Sequence, residues 1–212
     1  FVLGDTNTTL VGAIAAKAAN KKLFFVESGL RTRDLNQIEE YNRLIVSHLA
    51  DINFCNHQNN VENLRKEGIA DNKIYLTGST VFSAIDKFKN SENDFKDINF
   101  LLLTLHRPEN VDDHKRLTDI VKVLKEINIK IIFPIHPRTK DKIKKIPGLS
   151  IDHIEIIEPR NYEDFIKLIE SSKFIISDSG GVQEEAMILR KPLIIPRRYT
   201  ERPEMLNIFN IL

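Results

Sequence analysis

Runs such as LFFV, INFC, FLLLTL, KIIFPI, IEII, FIIS and PLII are apolar at nearly every position. A strand with one wet face alternates apolar and polar residues, so strands without alternation must be buried on both faces, as in parallel sheets covered by helices. Between these runs lie stretches of helical spacing. Leu117, Ile120, Val121 and Leu124 form one face in DDHKRLTDIVKVLKEI, and Ile38, Leu44, Ile45 and Leu49 give IEEYNRLIVSHLA the spacing of an amphipathic helix. This alternation predicts an α/β fold built from doubly wound parallel sheets. The polar stretch KNSENDFKD reads as a seam, which divides the 212 residues into expected domains 1-82 and 83-212. The chain opens on FVLGDT, with an apolar run already in progress, and stops at NIFNIL. It is therefore expected to be an internal piece of a longer protein.

Several function classes are excluded at this level. With 31 Lys and Arg against 30 Asp and Glu, no global basic field draws in nucleic acid or an anionic membrane. Anion binding falls to local sites. No apolar stretch approaches the roughly 20 residues of a membrane span, and no signal peptide is recognisable. The single cysteine, Cys55, rules out an intramolecular disulfide and points to a reducing, cytoplasmic setting. Its place in INFC suggests a buried, inert thiol. GxxxxGK[ST] and GxGxxG are both absent, which argues against a P-loop nucleotidase and against the usual nicotinamide or flavin site. The His and Cys spacings fit no closed metal site.

Ligands of doubly wound sheets bind at the carboxyl ends of the strands. The residues expected there are Asp5, Glu27, His106, His136, Glu158, Asp178 and Ser179. In KFIISDSGGVQEEAMIL a strand breaks into Ser179, Gly180 and Gly181 and resumes with helical spacing. Two glycines admit a ligand that a Cβ would push away, and a helix N-terminus offers unpaired N–H groups to phosphate. Ser179 can cap the helix or bind the same anion, and Glu184 and Glu185 are acceptors suited to ribose hydroxyls. The other reading is a turn that merely needs glycine. Asp5 has an alternative role as a helix cap, Glu27 as a partner of Arg31 or Arg33, and Arg202 as a partner of Glu201 or Glu204. His106 opens HRPEN, where Arg107 is available to an anion, and His136 stands in HPRT. Carboxylates and a histidine beside a diphosphate cradle suggest proton transfer on a nucleotide-linked substrate, without metal or redox cofactor.

Taken in order, GDTNTTL, VESGLRT with IEEYNR, LTLHRPEN, FPIHPRT, EPRNYEDF, SDSGGVQEEA and TERPE resemble the non-hydrolysing UDP-N-acetylglucosamine 2-epimerases over nearly the whole chain. The resemblance implies two Rossmann-like domains in a GT-B-like fold, with the active site in the cleft between them. It implies interconversion of UDP-GlcNAc and UDP-ManNAc at C2, through elimination and re-addition of UDP by way of 2-acetamidoglucal, with no cofactor. It assigns Asp5, Glu27, Glu39 and His106 to catalysis. Arg160, Phe165, Ser179, Gly180, Gly181, Glu185 and Arg202 fall at substrate-binding positions, and Arg107 and His136 near an activator site of some bacterial members. Crowding is expected to raise the carboxylate pKa values. A homodimer is expected. A GT-B glycosyltransferase, a hydrolysing epimerase and a non-catalytic UDP-sugar-binding module remain as alternatives. The family's N-terminal loop with its basic residues and its C-terminal helix have no counterpart in this sequence.

Overall fold

A computed structural model describes residues 1–88, 93, 95–96, 98–135, 137–144, 154–206 and 210–211. Contacts divide the chain into two compact units. Phe1–Ser83 joins with Tyr199–Glu204, and Ala84–Arg198 joins with the residues after Glu204. Tyr199–Glu204, which sequence order alone assigns to the second domain, thus packs with the first.

The first unit contains β1 (Val2–Leu3), α1 (Asn7–Ala18), β2 (Phe24–Val26), α2 (Ile38–Leu49), β3 (Ile52–Cys55), α3 (Gln58–Lys66) and β4 (Ile74–Leu76), with α4 (Thr80–Asp86) at its end. Its strands form a parallel sheet in the order β1-β2-β3-β4. Its core includes Ala13, Leu23, Phe25, Val46 and Ala50 in one cluster, and Cys55, Val61 and Leu64 in another.

The expected apolar face of α2 packs only in part, with Leu49 against the core and Leu44 half-buried. Ile38 and Ile45 are exposed, whereas Glu40, Asn42, Arg43, Val46 and Ser47 are buried. A helix normally buries its apolar stripe. Here the buried polar side chains find hydrogen-bond partners, several of them in loops at the rim of the sheet, which offsets most of the usual penalty for burying them, although Asn42 Oδ1 has no partner among the described residues. Ser47 accepts from Arg31 Nη2 at 2.9 Å, and Asn42 Nδ2 donates to the carbonyl of Asp5 at 2.8 Å.

The second unit runs β5 (Phe100–Thr104), α5 (Pro108–Val111), α6 (His114–Lys125), β6 (Lys130–Pro134), α7 (Pro137–Lys144), β7 (Ile154–Ile157), α8 (Tyr162–Ser171), β8 (Phe174–Ser177), α9 (Gly180–Ile188), β9 (Leu193–Ile194) and β10 (Asn210–Ile211). All pairings are parallel, in the order β10-β9-β8-β5-β6-β7. Phe100 to Leu103 are fully buried, as uninterrupted apolar runs require, and Leu117, Val121 and Leu124 of α6 pack with Leu101 and Leu103 from the predicted face. The chain leaves β5 toward β6 and later returns to β8 on β5's other side. This reversal of direction opens a crevice at the carboxyl ends of β5 and β8, where doubly wound sheets bind ligands.

Candidate active site

In the first unit the site is built on α2 and the loops it holds. Arg43 Nε and Nη2 donate to Asp5 Oδ2 at 3.1 and 2.7 Å, while Nη1 donates to Glu40 Oε2 at 2.6 Å. Glu40 also accepts from the backbone N–H groups of Thr32 and Arg33 at 3.0 and 2.9 Å and from the Thr32 hydroxyl at 3.1 Å. Burial alone would raise the Glu40 pKa, but the Thr32 and Arg33 amides and the Arg43 guanidinium hold it below the ordinary value. Burial likewise opposes the Arg43 charge, and Asp5, Glu201 and Glu40 outweigh it, so its pKa is raised.

Asp5 follows Gly4, whose φ of +74° turns the chain at the end of β1. The capping role goes to Thr6, which accepts from Thr9 N at 3.4 Å. Asp5 is instead the partly exposed partner of Arg43, its side chain 33% accessible. Arg31 is committed to Glu67 through Nε and Nη2 at 2.8 and 2.7 Å, and Arg33 Nη2 reaches Asn63 at 3.3 Å. Glu27 itself adopts φ +63° directly after β2. A non-glycine residue held in the left-handed region carries strain that concentrates at functional sites. Glu39 is half-buried in the first turn of α2, one position from the buried Glu40. Arg202 is buried, with Nη1 3.3 Å from Glu201 Oε1.

The second unit's rim gathers His106, Asp178 and the α9 turn. Thr104 and Ser177 stand opposite each other in the β5–β8 register with their hydroxyl oxygens 2.6 Å apart, and Ser179 N donates to Ser177 Oγ at 3.1 Å. Ser179 caps α9 by accepting from Val182 N at 3.5 Å. The first intrahelical bond runs from Gln183 N to the Ser179 carbonyl, so the N–H groups of Gly180 and Gly181 precede the ladder.

Neither of these two glycines has positive φ. A Cβ added to Gly181 would meet nothing nearer than Ser179 Oγ, at 3.8 Å. The backbone conformation therefore does not require glycine here, and the position is open in front, as close approach by a ligand requires.

His106 Nδ1 lies 3.1 Å from Asp178 Oδ1, and the ring is half exposed. Burial raises the Asp178 pKa, but the His106 ring, Asn110 and the Arg107 amide more than reverse this, so Asp178 is lowered. Glu40 in the first unit and Asp178 in the second are thus both held below their ordinary values. Each is surrounded by hydrogen-bond donors.

Phe165 is half-buried in the first turn of α8, whose N-cap is Asn161, and Arg160 is exposed just before it. Glu185 is buried. Tyr162 in the first turn of α8 hydrogen-bonds Glu185 of α9, and burial with the Glu185 charge and that bond pushes its hydroxyl up to about 12. Arg107 Nε is buried without a hydrogen-bond partner among the described residues. His136 lies outside the described residues. Cys55 is fully buried, and burial raises its thiol to about 12.

Sequence reasoning missed the buried network of Glu40, Asn42 and Arg43 that holds Asp5. The EEYNR spacing, which puts Glu40 and Arg43 one turn apart, was the available signal.

The sequence model of one family, described as UDP-N-acetylglucosamine 2-epimerase, matches residues 1–210. The chain belongs to this family. It is 41% identical to a UDP-N-acetylglucosamine 2-epimerase of Methanococcus maripaludis, covering 98% of this chain and 62% of that protein. It is 36% identical to a UDP-2,3-diacetamido-2,3-dideoxy-D-glucuronate 2-epimerase of Pseudomonas aeruginosa, covering 98% of this chain and 60% of that one. The crystal structure of the Methanocaldococcus jannaschii UDP-GlcNAc 2-epimerase in complex with UDP-GlcNAc and UDP matches with a TM-score of 0.91 at 41% identity, over 100% of this chain and 63% of that one. The two units are the Rossmann-like sheets of a GT-B-like fold, and the chain spans about three-fifths of the length of the family members it matches. No helix among the described residues is long and apolar enough to cross a membrane.

Proposed function

We propose that the protein to which this chain belongs interconverts UDP-GlcNAc and UDP-ManNAc at C2. The observation that carries the reading is the rim of the second unit, where Asp178 ties His106 to the strand leading into the open Ser179-Gly180-Gly181 turn. This arrangement suits a leaving diphosphate. The N–H groups at the start of α9 and the Ser179 hydroxyl stabilise negative charge as it grows, and His106 donates a proton or a hydrogen bond to the departing oxygen. Glu185 is the ribose acceptor, Phe165 and the backbone at Arg160 form the uracil pocket, and Arg202 is a further substrate contact.

The first unit supplies the groups that act on the sugar. Asp5, Glu27 and Glu39 are carboxylates on one rim, and between them they remove the C2 proton and return one to the opposite face. Loss of the C2 proton and departure of UDP from C1 leave 2-acetamidoglucal. Addition of a proton at C2 and of UDP at C1 completes the exchange without net consumption of any reactant.

Incubating the full-length protein with UDP-GlcNAc in D2O should place deuterium at C2 of the product. A product without C2 label contradicts elimination, release of the free sugar with UDP indicates hydrolysis, and transfer of the sugar to an acceptor indicates a glycosyltransferase. Glu27→Gln should abolish exchange while UDP binding is retained. The similarity to the Pseudomonas enzyme supports a second substrate, a UDP-diacetamido-glucuronate, which the same label assay distinguishes by which sugar exchanges.

A homodimer is part of this reading. The exposed Val11 and Ile14 of α1 and Ile38, Tyr41 and Ile45 of α2 offer an apolar surface for pairing. A monomer mass for the full-length protein in light scattering would remove that part.

A further inference from the structure

Asp178 is fully buried, and among the described residues His106, Arg107 and Asn110 donate hydrogen bonds to its carboxylate. Oδ1 receives His106 N at 3.1 Å and faces His106 Nδ1 at 3.1 Å. Oδ2 receives His106 N at 3.2 Å, Arg107 N at 3.0 Å and Asn110 Nδ2 at 2.9 Å. Asn110 is anchored in turn, because Arg116 Nε donates to its Oδ1 at 2.6 Å while Arg116 Nη2 donates to the Pro196 carbonyl at 3.0 Å.

A structural staple needs only the backbone and Asn110 bonds. The contact to Nδ1 does something different. An ionised carboxylate has no proton to give, so Nδ1 must be the donor, and in the neutral ring Nε2 is then the unprotonated nitrogen. Oδ1 and Oδ2 are fixed by the same backbone that carries His106, so the ring has one preferred orientation.

We infer that Asp178 is a positioning residue for His106: it fixes the Nδ1–H tautomer, directs Nε2 to the diphosphate, and balances the imidazolium charge when Nε2 carries a proton. This rests on the reading that His106 acts on the leaving UDP. The relation matches that of an acid, a histidine and a reacting group, in which the buried carboxylate orients and stabilises without itself being protonated. It also couples the turn to the histidine, since Asp178 is adjacent to Ser179 and one segment places both the helix cap and the ring.

The first test is 15N NMR of the His106 imidazole in the wild-type chain above its titration. The Nδ1–H form is expected, and a predominant Nε2–H form would overturn the inference without any variant. The second is steady-state kinetics of the full-length protein. Asp178→Asn should lower kcat by about 10²-fold or more while KM stays within roughly threefold, because ring orientation matters to the transition state rather than to binding. Wild-type kcat in that variant would also overturn it. His106→Gln separates the two levels of argument. If this variant turns over normally, the assignment of His106 to the reaction fails. If it is inactive while the wild-type ring is Nε2–H, the role of Asp178 alone fails.

Discussion

Arg43 donates twice to a single oxygen of Asp5, at 3.1 and 2.7 Å, across 38 positions of sequence. Its remaining branch reaches Glu40, whose carboxylate is 1% accessible. One guanidinium thus balances the charges of a rim carboxylate and a buried one. Removing it leaves Glu40 buried without a counter-charge, and breaking a buried pair from one side costs about 3–5 kcal/mol. Arg43→Met should lose stability of that order in urea unfolding, and Arg43→Met with Glu40→Gln should lose less than the sum of the single changes. Additive losses would refute the pairing.

Acid should unfold the chain through its buried carboxylates. Glu40 and Asp178 have folded pKa values below their ordinary 4.5 and 3.8. Each therefore contributes stability that is present above the unfolded value and lost as pH falls through the folded one. Thermal midpoints should hold from neutrality to about pH 5 and drop below it. Glu40→Gln should flatten the drop, and an unchanged acid profile in that variant would count against Glu40 as a contributor.

Two glycines with positive φ should respond differently to alanine. At Gly29, φ is +85° and an added Cβ would stand 2.8 Å from the Asn60 carbonyl carbon and nearer still to its oxygen. At Gly4, φ is +74° with nothing within 4 Å. Gly4→Ala should cost about 1–2 kcal/mol, the penalty of the left-handed conformation alone. Gly29→Ala adds a backbone collision and should cost more, or prevent soluble expression. Equal midpoints in denaturant would show that the α3 backbone gives way.

Cys55 should resist alkylation in the folded chain. It is fully buried, and its thiol is raised to about 12, so the thiolate that reacts is both rare and inaccessible. Iodoacetamide modification followed by mass spectrometry should track global unfolding in urea. Rapid labelling in native buffer would contradict this.

The alternation of uniformly apolar runs with helical spacing is a local property, and it was enough to predict parallel α/β units. It was also enough for the Ser179 turn, because capping and glycine chemistry act within four residues. The turn's purpose was less legible. Only the backbone angles showed that Gly180 and Gly181 are not there to supply positive φ.

What the amino-acid order determined by itself was the set of elements, the family and the position of the strand ends. The buried face of α2, the pairing of Arg43 with Asp5 and Glu40, the grip of Asp178 on His106 and the attachment of Tyr199–Glu204 to the first unit were decided by tertiary structure. The physical reason is the range of the interactions. Helical periodicity reports spacing along one element, whereas burial of a charge depends on partners from other elements, such as Asp178 gripping a loop 72 positions away. Of the apolar residues expected to face inward on α2, Leu49 packs on the core while Ile38 and Ile45 stay exposed, because the buried Glu40 and Arg43 find partners only in the folded chain.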